Sequence, residues 1–320
     1  MVRYQIQTSL TEVQPILVKI RHGNGMRLDE AIHDELMNQE ARDEFEALSQ
    51  FQVIFSRGPN AYLFFAIQSL ALYDDLNALV MEEARLQSLK SSFEAPRALF
   101  QARYQAKLEE QVELAGRWLR IFHDQFAPPT QGPLFPEHLY EAAQRDLVTL
   151  QPIIRTVDWN DADTLLRELY IRCYEISVPY RLLHEDFHLA NVFVDKAGRI
   201  GSFDPHDRPG PIQVDLAKFM NQLDTHRVQV ATNGLFISKR RLRALHRAFL
   251  NGYFGLEYID RFALELYRFL AILQKWGENE TRLQQFSGLR KRLFAFGAPQ
   301  LRHYYTRLLQ ERTRTENFGF

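Results

Sequence analysis

Cysteine is almost missing from this chain: Cys173 is the only one in 320 residues. A single thiol excludes an intramolecular disulfide framework and any multi-cysteine zinc site, and it fits a reducing compartment, with Cys173 expected in the core. Long apolar runs are missing too. The most hydrophobic stretches, residues 61–67 and 266–273, are far shorter than the roughly 20 residues that a membrane-crossing helix needs. No uninterrupted apolar segment follows Arg3, so the opening does not read as a secretory signal and a cytoplasmic protein is expected. Low-complexity tracts and internal repeats are also absent. What remains is an ordinary globular balance of 46% hydrophobic and 25% charged residues, which excludes a disordered or collagen-like chain. The length suits two lobes around a large core.

The net charge of −1 hides an uneven distribution. Residues 226–320 hold 17 Lys or Arg against 7 Asp or Glu, a net of +10 that leaves −11 for the rest. Such asymmetry bears on what approaches each half and says little about fold.

Along the chain, alternating β-branched and polar residues predict strands over Arg3–Thr8 and Pro15–Ile20, the second carrying Lys19. Helical spacing and good helix formers predict one helix from Leu28 to Phe51. Two further strands are expected at Ala61–Ile67 and Ala78–Met81, across a polar turn at residues 73–77. A long helix is expected over Ala95–Phe126, a Pro/Gly-rich loop over residues 128–136, and another helix over Asp161–Ile176. Asn191–Asp195 and Arg199–Phe203 are β-rich and joined by Lys196-Ala197-Gly198, which reads as a hairpin. From Val214 onward the spacing is helical almost throughout.

The chemistry concentrates in His184-Glu185-Asp186-Phe187-His188-Leu189-Ala190-Asn191, followed by Ile200-Gly201-Ser202-Phe203-Asp204. An Asn lies five residues past Asp186, and a second Asp lies thirteen past that Asn. His184 to His188 also satisfies H-E-x-x-H, a zinc-protease signature. That chemistry needs a helix across both histidines, whereas this segment leads within three residues into the β-like run Val192-Phe193-Val194.

The segment resembles the catalytic loop and hairpin of the aminoglycoside phosphotransferase family and, more distantly, of protein kinases. The resemblance runs in order over nearly the whole chain, with its specific motifs confined to Leu183–Ala217. It implies a protein-kinase-like α+β fold, with a small sheet-plus-helix lobe over residues 1–84 and a larger, mainly helical lobe over residues 85–320 carrying the catalytic hairpin. Nucleotide, ATP or GTP, would bind between them.

Phosphoryl transfer asks little covalent help of the protein, which must align the acceptor hydroxyl and neutralise charge. Asp186 would therefore orient the hydroxyl and accept its proton late in the step, with His184 bracing the loop. Asn191 and Asp204 would hold Mg2+, a hard cation that favours oxygen donors. Lys19 resembles the strand lysine that meets the nucleotide phosphates, and Glu44 its helical partner, although Glu40 or Glu46 could serve. Leu79 to Ala84 resembles the hinge, where the Glu82 carbonyl and the Ala84 N–H would hold adenine. Asp215, in Gly210-Pro211-Ile212-Gln213-Val214-Asp215-Leu216-Ala217, resembles the family aspartate that caps a helix and hydrogen-bonds back to the catalytic loop.

The chain departs from the family in three ways. Glu185 stands where Gly is commoner, Pro205-His206-Asp207 follows the metal aspartate, and only Met1–Thr8 precedes the Lys19 strand, where the family has two strands and a phosphate-covering loop. The last implies a reduced backbone cradle for phosphate. It leaves three alternatives: weak nucleotide binding, a start placed late, or a catalytically inactive protein that binds a nucleotide or partner.

In the family the helical region forms much of the acceptor site. Here it carries Arg240, Arg241, Arg243, Arg247, Arg290, Lys291 and Arg292, and a cationic surface repels a cationic drug. A neutral or anionic acceptor is expected, such as a sugar, a sugar acid or a lipid-linked head group. The same charges also fit a solvated helix face or peripheral membrane contact. No nucleic-acid motif stands out.

Overall fold

A computed structural model of the protein describes residues 2–7, 13–20, 26–83, 86–95, 101–126, 128–154, 157, 159–203, 208–257, 259–285 and 287–312. Its contacts divide the chain into two compact units: residues 1–93 with 190–205, and residues 94–189 with 206–320. The expected boundary after residue 84 differs from this division. Residues 84 and 85 lie outside the described residues, and the hairpin counts with the first unit.

In the first unit, β1 (Val2–Gln7), β2 (Val13–Ile20), β3 (Ser69–Tyr73) and β4 (Ala78–Glu82) form an antiparallel sheet in the order β1-β2-β4-β3. The expected single helix from Leu28 to Phe51 is two, α1 (Leu28–Ile32) and α2 (Glu35–Phe51). Asp34 breaks it. Its backbone is extended and its carboxylate accepts the Met37 N–H at 3.0 Å, an N-cap that competes with continuing the helix. Helix α2 buries Met37, Ala41, Glu44, Leu48 and Phe51. That spacing of three and four puts one carboxylate in an otherwise apolar stripe, so Glu44 requires a partner.

The expected strand at Ala61–Ile67 is not one. Phe64 to Ile67 are all buried, but only a single bridge joins Phe64 to Ile200, flanked by hydrogen bonds from Phe65 N–H to the Ile200 carbonyl and from Ile200 N–H to the Leu63 carbonyl. The strand beside β4 starts later, at Ser69. A short apolar run signals burial and does not by itself choose between a strand and an irregular core segment. The expected hairpin is present: β8 (Val192–Val194) and β9 (Ile200–Ser202) pair antiparallel, with β5 (Gln87–Ser88) on the other edge of β8. Helix α3 (Leu89–Glu94) follows β5.

Among the described residues the second unit has eight helices: α4 (Ala102–Gln125), α5 (Glu137–Leu150), α6 (Trp159–Cys173), α7 (Gln213–Asp224), α8 (Arg227–Ala231), α9 (Lys239–Phe254), α10 (Arg261–Gln285) and α11 (Gly288–Arg312). A three-stranded sheet accompanies them, in the order β10 (Arg208–Pro211), β7 (Ser177–Leu183), β6 (Thr130–Pro133). Strand β6 corrects the expected Pro/Gly loop. It lies at the sheet edge, where Pro and Gly are tolerated because the outer N–H groups need no strand partner. The core gathers Trp159, Trp276 and Tyr305, with Cys173 inside it as expected. Among the described residues no helix is long and apolar enough to cross a membrane.

Helices α4 and α9 meet at two glycines. A Cβ on Gly116 would collide with the Phe249 carbonyl, and one on Gly252 with the Glu113 carbonyl. Backbone is the obstacle in both cases, so little can give way. We predict that Gly252→Ala destabilises the protein by about 1–3 kcal/mol, read as a lower urea midpoint with unchanged m; an unshifted midpoint would contradict the close approach.

Candidate active site

In the second unit, β7 ends at Leu183 and releases a non-helical loop from His184 to Leu189. Such a segment must find partners for its N–H groups when buried. Helix α7 supplies them. Asp215, fully buried, accepts the His184 N–H on Oδ2 at 2.7 Å and the Glu185 N–H on Oδ1 at 2.8 Å. One helical step on, Lys218 Nζ donates to the Glu185 carbonyl at 3.1 Å, and Gln222 Oε1 accepts the Leu189 N–H at 2.6 Å. Spacings of three and four put these side chains on one face of α7. Asp215 is the third residue of that helix and not its N-cap, which is Ile212.

A buried carboxylate needs more than two amides. His123 Nε2 lies 3.1 Å from Asp215 Oδ2, and its Nδ1 lies 2.7 Å from the Tyr253 hydroxyl. A neutral ring satisfies both bonds when the tyrosine donates to Nδ1 and Nε2–H donates to the aspartate. Burial works to raise the Asp215 pKa, but the hydrogen bonds from His123 and from the His184 N–H outweigh it and hold the carboxyl below its usual range.

His184 also has no exposed surface, and its ring packs against Trp118, Phe122 and Phe187. Burial pushes its pKa down to about 4, so near neutral pH it is an uncharged brace. It does not share a metal with His188: the backbone from 184 to 188 is not helical. Among the described residues no cluster of three or more His, Cys, Asp or Glu could hold a metal.

Glu185 has φ of 56°, in the left-handed region that costs a side-chain-bearing residue energy and costs glycine none. The turn is tight, with Asp186 N–H donating to the His184 carbonyl at 2.6 Å. Three contacts hold that conformation from outside. The turn presents Asp186, whose side chain is 44% exposed and whose Oδ1 meets His188 Nε2 at 3.1 Å. Asp186 and His188 line a cavity of about 410 Å³ flanked by Lys218 and Asn221 of α7 and by Gln274 and Glu278 of α10.

In the first unit, Lys19 on β2 meets Glu44 on α2, Nζ to Oε1, at 2.7 Å, with both side chains largely buried. The structure thus selects Glu44 over Glu40 and Glu46. Glu82 ends β4, where its carboxylate accepts the Gln68 N–H and its own N–H donates to the Gln68 carbonyl; Ala84 lies outside the described residues. Asn191 enters the hairpin just before Val192, which pairs with Ser202, and its carbonyl accepts the Ser202 hydroxyl at 2.8 Å. Asp204 lies outside the described residues. An amide oxygen and a carboxylate are the donor set that Mg2+ takes, and a paired strand lysine suits a polyphosphate, so these residue types fit a nucleotide and its metal.

The described basic cluster on α9 does not build the cavity. Arg240, Arg243 and Arg247 are exposed on α9, Arg241 is partly buried, and none of them lines it. Arg290, Lys291 and Arg292 lie on α11, whose side chains there are outside the description. His123, Tyr253, Lys218 and Gln222 carried no sequence signal of their own. The last two could have been found by stepping along α7 from Asp215, whereas no local spacing joins His123 or Tyr253 to the loop.

The profile of the phosphotransferase enzyme family matches residues 9–253 of the chain. Similar solved structures include an ethanolamine kinase of Plasmodium vivax, at 14% identity over 97% of this chain and 80% of that one with a TM-score of 0.53. A glucosamine kinase in complex with glucosamine, ADP and inorganic phosphate matches at 14% over 84% and 73%, TM-score 0.57. An amicoumacin kinase in complex with AMP-PNP and Ca2+ matches at 14% over 97% and 85%, TM-score 0.51. At these identities the likeness is one of fold, and it supports the expected α+β kinase-like architecture. No curated protein matches the chain in sequence.

The His184 pKa makes a stability prediction. It is lower folded, about 4, than the ordinary 6.5, so the unfolded chain binds the extra proton first as pH falls. Stability is complete above pH 6.5, declines through the window down to about 4, and loses roughly 3 kcal/mol from this residue. Urea unfolding against pH should show that slope, and it should flatten in His184→Phe; an equal slope in both proteins would contradict it.

Proposed function

We propose, for a chain that belongs to the phosphotransferase enzyme family, a kinase that moves the γ-phosphoryl group of ATP or GTP to a hydroxyl of a small neutral or anionic acceptor. The observation that carries this reading is the clamped turn. A carboxylate, Asp186, stands half exposed at a cavity wall on a loop whose backbone is held by a buried anion. In direct in-line transfer such a carboxylate accepts a hydrogen bond from the incoming hydroxyl, fixes its attack direction, and takes its proton late in the step. His188 Nε2, 3.1 Å from Oδ1, helps to orient the carboxylate. His184, uncharged and packed, braces the turn and exchanges no proton with the acceptor.

Lys19, oriented by Glu44, would meet the nucleotide phosphates, and backbone groups of Glu82 and Ala84 would hold the base. Asn191 and Asp204 would hold Mg2+. When bound, the ion neutralises charge on the transferred group and its bridging oxygens. Asp215 acts at one remove, through the backbone of residues 184 and 185.

Removing the Asp186 carboxylate should cut transfer about 10²–10⁴-fold in a Mg-ATP coupled assay of Asp186→Ala, with nucleotide affinity by fluorescent-ATP titration almost unchanged. Lys19→Ala should instead weaken that affinity. Wild-type protein that binds nucleotide and never turns it over with any hydroxyl acceptor would contradict the kinase reading in favour of a binding role.

A further inference from the structure

The described residues that line the cavity beside Asp186 all belong to the second unit, and most of them are charged, with both signs present, or polar and uncharged. Lys218, Lys275 and Arg282 face Glu185, Asp186 and Glu278 in the same space. One opposed pair is engaged, Lys275 with Glu278 at 3.3 Å, and Lys218 donates to the uncharged Glu185 carbonyl. A polycation would want surplus carboxylates and an anion surplus cations, and among the described lining residues neither surplus exists.

A quaternary ammonium wants open aromatic faces. The one aromatic lining residue, Phe187, has no exposed surface and packs on Trp118 and Phe219.

Four uncharged polar side chains complete the described wall, and each makes a hydrogen bond within the protein. Gln222 gives its Oε1 to the Leu189 N–H, which leaves its Nε2 as a donor. Gln274 gives Nε2 to Glu278 at 3.2 Å, which leaves its Oε1 as an acceptor. Asn221 donates Nδ2 to the Arg268 carbonyl at 2.7 Å, and this bond settles which way the amide points. Its Oδ1 is then a buried acceptor with no hydrogen-bond partner among the described residues, on a side chain only 4% exposed. Thr225, the residue that caps the C-terminus of α7, donates its hydroxyl to the Asn221 carbonyl at 2.7 Å, which leaves its oxygen as an acceptor. An orphaned acceptor such as the Asn221 Oδ1 is uncommon in folded proteins and marks a place where a donor is wanted.

We infer that the acceptor is a neutral polyhydroxylated molecule of about monosaccharide size, and that Asn221 determines specificity by accepting a hydrogen bond from a hydroxyl other than the one phosphorylated. Hydroxyls can donate to Asn221 and Gln274 and accept from Gln222 without adding a charge. The inference rests on the kinase reading above and narrows its acceptor from neutral-or-anionic to neutral.

The test is a phosphate-transfer mass-shift assay with Mg-ATP on wild-type protein. The panel sets neutral polyols (hexoses, pentoses and inositol) against glucosamine, choline and glucuronic acid. A neutral polyol should be the best acceptor. Each singly deoxygenated analogue of it is then measured on wild type and on Asn221→Ala. One analogue should raise KM about tenfold on wild type with kcat little changed, and cause no such loss on the variant.

Should the variant not fold, the wild-type deoxy series decides alone, since a single hydroxyl of that weight is required. A best acceptor that is an amine or an acid, or a deoxy series without one sensitive hydroxyl, overturns the inference. Asp186-dependent ATP hydrolysis with no transfer to any polyol overturns it and leaves the kinase reading standing. Loss of any Asp186-dependent turnover sinks both.

Discussion

The second unit is organised around one buried carboxylate. Asp215 has no exposed surface, yet it remains an anion because two backbone N–H groups and an imidazole surround it. An anion in that position is costly unless every lone pair is used, and the cost becomes specificity: only one path of the chain through His184 and Glu185 satisfies it. That path includes a residue with φ of 56°. Strain of this kind persists where surrounding contacts over-determine it, and here the constraints come from Asp215 below, Lys218 on the carbonyl, and the aromatic packing of His184. The result is a rigid presentation of Asp186 on a loop that would otherwise be free to wander.

The same conformation gives a physical sense to a departure noted in the sequence. A left-handed residue between His184 and Asp186 is the natural place for glycine, and Glu185 occupies it at some conformational cost. Glu185 lines the cavity, so a glycine would relax the turn and also remove a carboxylate from the cavity wall. The neutral charge balance of that wall therefore depends on a residue in a strained turn.

What could be read from the sequence was local. The alternation of the hairpin around Lys196 and of the strand that carries Lys19 follows a period of two, whereas the set Asp186, Asn191 and Asp204 and the pairing of Lys19 with a glutamate were implied by the family resemblance. What could not be read depended on tertiary contact. Phe64 to Ile67 are as apolar as a strand, but their place is set by a single bridge to Ile200, more than a hundred residues away. Strand β6 forms from a Pro/Gly-rich segment because β7 is there to receive it. The His123–Asp215–Tyr253 chain joins three helices, and no spacing within one helix announces it. The α9 cluster follows the alternative of a solvated helix face, with Arg240, Arg243 and Arg247 exposed, because charge composition names a helix and not the face that it turns to solvent.

The central claim is that Asp215 holds the His184 and Glu185 amides as firmly as the core itself. Native-state hydrogen exchange followed by NMR measures this residue by residue. The account predicts that these two N–H groups exchange only through global unfolding, in step with buried amides of α4 and α10, and become fast in Asp215→Ser. Rapid exchange at both amides in the wild-type protein, while the helices around them stay protected, would contradict it.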